Sequence, residues 1–296
     1  MTNEQMIKRK SQSSGSKFQV AGRKSQVKNR KSIKPLILVV NDDGIRSPGL
    51  RAITRALLNL GDILIVAPRD QQTSTGRAFR GGGVPVPISY QVDEKHVRAY
   101  AVAATPALVV RYALQLIADR TPSLVVSGIN YGENIGNGVT ISGTVGACLE
   151  AANSGIPALA VSQSVDTIYH HSYSETIDFT LAAEWGRRFA KRILKCGMPR
   201  GADVVNINIP DGATSKTPFR WTCVSRSNYF LSTVRETKRG KVIKGYSLAI
   251  DPTTSEPDSD VRAVLIDHVV SVSFLTLDLT APVTKQERDR WGNGKV

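Results

Sequence analysis

The sequence predicts an α/β protein: a Rossmann-like, three-layer core around a parallel sheet, followed by a β-rich C-terminal part that contains a hairpin. Three observations carry this. Leu36-Ile37-Leu38-Val39-Val40 is an uninterrupted apolar run that stops abruptly at Asn41-Asp42-Asp43, the pattern of a parallel strand buried on both faces. A helical stretch over 48–59 and a second apolar run over 62–68 follow directly, and strand, helix, strand in that order is a βαβ unit. Further apolar runs at 123–127, 157–162 and 203–209 alternate with helical stretches, so the sheet continues.

Helix 48–59 opens at Ser47-Pro48, a candidate N-cap followed by proline at the first helical position. Leu50, Ile53, Leu57 and Leu58 recur at helical spacing and should pack back on the sheet. The second strand ends at Pro68, and a polar, Gly-rich segment from Arg69 to Gly83 follows. Short strands are expected at 84–90 and 96–102. Thr105-Pro106 then opens a helix through Asp119, with Leu108, Tyr112 and Leu116 inward. The third core strand ends in Gly128-Ile129-Asn130-Tyr131-Gly132-Glu133-Asn134, a loop dense in Gly and Asn. An Ala-rich helix over 144–154, a strand over 157–162, a helix over 174–195 and a strand over 203–209 complete the core. Beyond Pro210 the pattern becomes β-rich: segments 219–224, 229–236 and 241–250, the last two joined at Lys238-Arg239-Gly240-Lys241 as a hairpin. A short helix at 259–266, a strand at 268–274 and a polar helix at 284–292 end the chain.

The polar cluster at the end of the first strand is the first candidate site. In open α/β sheets ligands bind beyond the carboxyl ends of strands. Adjacent carboxylates there repel unless a cation or a proton relieves them. Two readings stay open on the residues alone: a turn in which one carboxylate caps the helix, or a hard divalent cation held by oxygens. Asn130 could offer such a cation a neutral oxygen. Ser142-Gly143-Thr144 before the Ala-rich helix reads either as a plain N-cap or as hydroxyls and amides suited to phosphate. No GxxxxGK[ST] stretch is present, so it is not a P-loop.

The net charge of +14 is unevenly placed. Residues 1–34 hold ten Lys or Arg against Glu4 alone, which leaves +5 for the other 262 residues. This basic extension is poor in apolar residues and is expected to be disordered, with weak polyanion contact or an organelle transit role as alternatives to plain solvation. No run of about 18 apolar residues occurs, so no transmembrane helix is expected. The four histidines form no HxH or HExxH pattern, which argues against a zinc hydrolase. Cys148, Cys196 and Cys223 lack metal-like spacing and read as reduced, buried thiols of a cytoplasmic protein.

Four stretches, in order and spacing, resemble the SurE family: Asn41-Asp42-Asp43-Gly44; Val66-Ala67-Pro68 with Gln72-Thr73-Ser74-Thr75-Gly76; Ser127-Gly128-Ile129-Asn130 with Asn134 and Gly136; and Ser142-Gly143-Thr144-Val145. A looser match runs through Ser259-Asp260, Val270-Ser271-Val272 and Asp278-Leu279-Thr280. The resemblance covers residues 36–280. It implies a metal-dependent phosphatase of nucleoside 5′- and 3′-monophosphates, with short polyphosphate as a side activity. It implies one divalent ion, Mg²⁺ or Mn²⁺ with Ca²⁺ also accommodated, on Asp42, Asp43, Thr73 and Asn130. Asp42 and Asp43 become the catalytic carboxylates, and Asn41, Asn134, Ser142, Gly143 and Thr144 the phosphate contacts. It also implies a homodimer or homotetramer with exchanged C-terminal elements; the apolar hairpin near 229–250 reads either as that exchange element or as a cover for its own domain. Three departures stand out. Thr73 replaces the usual Ser, with Ser74 as the alternative ligand. Ala104 and Leu108 stand where Gly and Asp are usual, and Arg77 to Gly83 is unlike the family pattern. They leave a catalytically silent nucleotide-binding protein as the alternative.

Overall fold

The computed structural model describes residues 34–170, 173–227, 229–248 and 255–292. Residues 1–33 of the basic extension and residues 249–250 of the expected hairpin lie outside these.

The central strand β1 (Leu36–Val40) is buried along its whole length, and its alternate residues feed two separate cores. Ile37 and Val39 face α1 (Pro48–Leu57) and α4 (Thr180–Cys196). Leu36, Leu38 and Val40 face α2 (Pro106–Tyr112) and α3 (Gly143–Asn153). This is the three-layer arrangement expected for strands that read as continuous apolar runs. Leu50, Ile53 and Leu57 of α1 are fully buried, as their spacing requires.

The main sheet has nine strands in the order β3-β4-β2-β1-β5-β6-β7-β11-β8. Of these, β4 (Lys95–Val102), β2 (Asp62–Pro68), β1, β5 (Leu124–Tyr131), β6 (Ala158–Gln163) and β7 (Val204–Ile209) pair in parallel. The connection reverses direction between β1 and β5, so a topological switch point falls at their carboxyl ends. Both edges depart from the parallel pattern. β3 (Val86–Val92) runs antiparallel to β4 as a tight hairpin. β11 (Val270–Leu275) runs antiparallel to β7 and carries β8 (Phe219–Trp221) beside it. Two strands from the β-rich end of the chain thus complete the main sheet. The hairpin β9 (Phe230–Thr237) and β10 (Gly240–Leu248) forms its own two-stranded sheet.

Some boundaries differ from the sequence expectation. β5 does not stop at Ser127; its register shifts between Gly128 and Asn130 and the strand continues to Tyr131. A β-carbon at Gly128 would lie 2.2 Å from the Val161 carbonyl oxygen, so only glycine permits this bulge. The helix opened by Pro106 widens to a π-helical turn over Ala113–Ile117. The extra residue per turn rotates Leu116 out of the core to 68% exposure, against its expected inward place. α4 begins at Thr180, six residues later than expected; Phe179 just before it packs edge-on against Tyr131, ring centres 4.9 Å apart. Of the cysteines only Cys148 is buried. Cys196 ends α4 and Cys223 follows β8, and both are exposed, which corrects the expectation of three buried thiols. α5 (Asp260–Leu265) and α6 (Lys285–Trp291) start at the Ser259 and Thr284 caps.

Gly49 shows how tightly the switch point is packed. A β-carbon there would sit 2.1 Å from the Ile129 carbonyl oxygen. Gly49→Ala should therefore push α1 off β5 and lower stability by about 2 kcal/mol, a fall in Tm of about 4–8 °C, readable in a thermal melt.

Candidate active site

Asn41-Asp42-Asp43-Gly44 leaves the end of β1 as a tight loop. The Asn41 side chain folds back into it: its amide donates to the Gly44 carbonyl at 3.0 Å and its oxygen accepts the Gly44 N–H at 3.2 Å. Asn41 is fully buried and its amide is committed to the turn. Gly44 takes φ +100°, a left-handed conformation that favours glycine.

Asp42 is 5% exposed and Asp43 3%. The Thr144 hydroxyl makes a very short hydrogen bond to Asp42 Oδ1, and the Thr144 backbone N–H also bonds this carboxylate. Gly143 lies so close that a β-carbon on it would be 2.7 Å from Asp42 Cβ. Asp43 Oδ1 accepts from Gln71 Nε2 at 3.1 Å, and the Tyr131 backbone N–H also bonds the carboxylate. Asp43 Oδ2 is buried with no hydrogen-bond partner among the described residues. Burial pushes the Asp42 carboxyl up to about 6 despite the Thr144 bonds. Burial, and then the charge of Asp42, raise Asp43 well above the ordinary carboxylate range.

The switch point brings Asn130 to the same edge. Its amide nitrogen donates to the Gly132 carbonyl at 2.7 Å, which leaves its oxygen for a ligand. Thr73 lies on the loop after β2, exposed, beside Ser74 at φ +58°. Among the described residues no side-chain bond ties Thr73 to either aspartate; the loop is joined to them through Gln72 N–H to the Asp42 carbonyl at 2.7 Å and through Gln71. Two buried carboxylates, one with an unpartnered oxygen, and a neutral amide oxygen suit a hard cation.

The residues expected to contact phosphate divide. Ser142 Oγ caps α3 by accepting the Val145 N–H at 3.1 Å and keeps its own hydroxyl proton for a ligand. Thr144 spends its single hydroxyl proton on Asp42, so in this arrangement it orients the carboxylate. Asn134 is gripped from three sides. Its Nδ2 bonds Ser162 Oγ at 2.8 Å, its N–H bonds Asn208 Oδ1 at 2.7 Å, and its carbonyl accepts from Asn206 at 2.9 Å. A hydroxyl partner accepts or donates, so the Ser162 bond holds Asn134 with either end of its amide outward.

Sequence reasoning missed Gln71, Asn206, Asn208 and Asp260 as supports. Gln71 also donates to the His170 carbonyl at 2.7 Å, joining the loops after β2 and β6 over Asp43. Asn206 and Asn208 recur at the two-residue spacing of one strand face inside an apolar run, a signal that was available. Asp260 is fully buried and accepts the Gly136 and Ser225 N–H groups at 2.9 Å each. Two of the residues that depart from the family pattern sit in or against the core. Leu108 packs against the α2–α3 core, and Ala104 is 2% exposed in a bridge with Gly81.

The raised pair sets a pH dependence. Unfolded carboxylates hold their protons only below about pH 4, whereas the folded pair keeps them to about 6 at Asp42. The stability this contributes is present below pH 4 and lost as pH rises through 6. Without added metal, Asp43→Asn should thus be more stable than the parent at pH 7, with the difference shrinking toward pH 4. Paired thermal melts in EDTA between pH 4 and 8 measure this.

The family model for Survival protein SurE matches residues 37–230. A protein of Thermococcus kodakarensis named 5′-nucleotidase SurE is 37% identical over 254 residues, covering 85% of this chain and 96% of its own length. A protein of the same name from Methanothrix thermoacetophila is 40% identical over 254 residues, covering 83% and 94%. The crystal structure of a SurE protein from Aquifex aeolicus superposes with a TM-score of 0.68 at 30% identity, covering 83% of this chain and 95% of that one. With the family model matching residues 37–230 and these relatives aligned over most of its length, the chain belongs to the SurE family.

Proposed function

We propose that this protein is a metal-dependent phosphomonoesterase that hydrolyses nucleoside 5′- and 3′-monophosphates to nucleoside and phosphate, with short polyphosphate as a further substrate. The relatives named 5′-nucleotidase SurE support the nucleotidase reading. The observation that carries it is the buried Asp42–Asp43 pair with its unpartnered Asp43 Oδ2: such a pair is costly to hold unless a cation binds it. Asp42, Asp43, Asn130 and Thr73 would hold one divalent ion, Mg²⁺ or Mn²⁺, with Ca²⁺ also fitting an all-oxygen set. Bound there, a divalent ion supplies charge neutralisation at the phosphoryl group and a lowered pKa for water. The chain's own residues do the rest. The Ser142 hydroxyl and the Gly143 amide, at the N-terminus of α3, orient phosphoryl oxygens. Asn134 is locked by Ser162, Asn206 and Asn208 to add a further contact. Asp42, oriented by Thr144, and Asp43, oriented by Gln71, are the carboxylates placed to exchange a proton with the attacking water.

Phosphate release from a panel of nucleoside 5′- and 3′-monophosphates, with Mg²⁺, Mn²⁺ or EDTA, tests this. Release should require metal and should fall about 100-fold or more in Asp43→Asn, while that variant keeps the parent's circular dichroism. Release that is indifferent to EDTA, or unchanged in the variant, would overturn the reading.

No helix among the described residues is long and apolar enough to cross a membrane. The three cysteines are free, which supports a reducing compartment such as the cytoplasm. Leu231, Val234, Val242 and Ile243 are exposed on the β9–β10 hairpin, Ile243 at 72%. Apolar side chains on a two-stranded sheet that pairs with no other strand among the described residues support its use as an exchanged arm in a homodimer or homotetramer. Val234→Asp with Ile243→Asp should shift light-scattering mass toward the monomer at micromolar concentration; an unchanged mass would remove the hairpin from the interface.

A further inference from the structure

We infer that Glu150 is a positioning residue: through Arg77 and Arg111 it holds the loop that presents Thr73 to the Asp42–Asp43 site. This rests on the reading of Thr73 as a metal ligand.

Glu150 lies on α3 about two turns beyond Thr144. Its side chain is 1% exposed and both of its oxygens are used. Oε2 accepts from Arg77 Nε at 2.8 Å and Oε1 from Arg111 Nε at 2.7 Å. Arg77 belongs to the loop, four residues after Thr73. Arg111 belongs to α2, and its guanidinium also lies 4.3 Å from the ring centre of Phe79, a second loop residue. One buried carboxylate and one arginine therefore grip the loop at two side chains.

The backbone supports the same grip. Gly76 N–H donates to the Ile141 carbonyl at 2.9 Å. A β-carbon at Gly146 would be 2.2 Å from the Gly76 carbonyl oxygen, so α3 and the loop touch main chain to main chain. Farther along, Thr105 Oγ1 donates to the Ala78 carbonyl at 2.5 Å and accepts the Arg80 N–H at 3.1 Å. At its other end the loop is held by Asp42 through Gln72 N–H and by Asp43 through Gln71. Thr73 and Ser74 are exposed between these two anchorages, so the Thr73 side chain is placed by them and not by packing of its own. An exposed ion pair would matter little. This carboxylate is withdrawn from water, so removing its charge or a partner disturbs the groups it holds.

The test is calorimetric titration of Mn²⁺ into the full chain without substrate. Thr73→Ala should weaken Mn²⁺ binding. Glu150→Gln should weaken it about 10–100-fold, the range for groups that orient ligands from behind, and Arg77→Met should act in the same direction while leaving the Glu150–Arg111 pair. Arg77→Lys, which keeps the charge, should recover part of the loss. Glu150→Gln placed on Thr73→Ala should add little, because residues acting through one another are not additive. If Glu150→Gln is poorly folded, Arg77→Met carries the same comparison. Equal losses with and without Thr73 would overturn the inference, as would parent affinity in Arg77→Met and Glu150→Gln alongside weakened Thr73→Ala. Parent affinity in Thr73→Ala would instead remove Thr73 as a ligand, and the inference with it.

Discussion

The candidate site is organised around one electrostatic constraint: two adjacent carboxylates are withdrawn from water at the end of the central strand. Asp42 and Asp43 cannot separate, because the peptide bond joins them, and neither is more than 5% exposed. The fold supplies hydrogen bonds from Thr144, Gln71 and the Tyr131 amide, yet burial outweighs them and raises both groups. Such a pair works against the folded state near neutral pH. It persists because β1 is anchored on both faces by apolar cores that do not depend on it. Local conflict of this kind, held by agreement everywhere else, marks a site kept for chemistry.

Close approach of main chains is the second requirement. Gly49 lets the start of α1 meet the end of β5, Gly143 lets α3 abut Asp42, and Gly146 lets α3 abut the loop after β2. At all three positions the neighbouring atom would lie under 3 Å from any β-carbon. Segments far apart in sequence converge around the two carboxylates because side chains are absent at these contacts.

Much of this was legible in the sequence. Leu36 to Val40 announced a strand buried on both faces, and the abrupt change to Asn41-Asp42-Asp43 marked the strand end where ligands collect. The Ser142 cap followed from its place before an Ala-rich helix, and the hairpin from the Lys238-Arg239-Gly240-Lys241 turn between two β segments. What escaped has physical causes. β11 and β8 join the far edge of the main sheet through pairings with strands distant along the chain, and local pattern carries no record of such pairing. The π-helical turn at 113–117 reversed the face of Leu116 without any change in apolar spacing. In the site, Thr144 carries a hydroxyl that sequence pattern matches to phosphate, but its proton is drawn to the nearest buried acceptor, Asp42. Gln71 carried no signal, because its role depends on a carbonyl ninety-nine residues away.

The helix α3 joins these strands of argument. Its first turn touches Asp42 through Gly143 and Thr144, and its middle grips the Arg69–Gly83 loop through Gly146 and Glu150. An α-helix of eleven residues is stiff over that length. The carboxylate at the end of β1 and the loop after β2 are thereby referred to a common rigid body as well as to each other. The proposed ligand set, drawn from residues as far apart as 42, 73 and 130, would need its geometry held to about half an ångström. Exposed loops do not hold such tolerances alone. Mounting one end of the loop on the helix that orients Asp42, and the other on Asp42 and Asp43 themselves, gives the exposed Thr73 a fixed frame while leaving the site open to substrate.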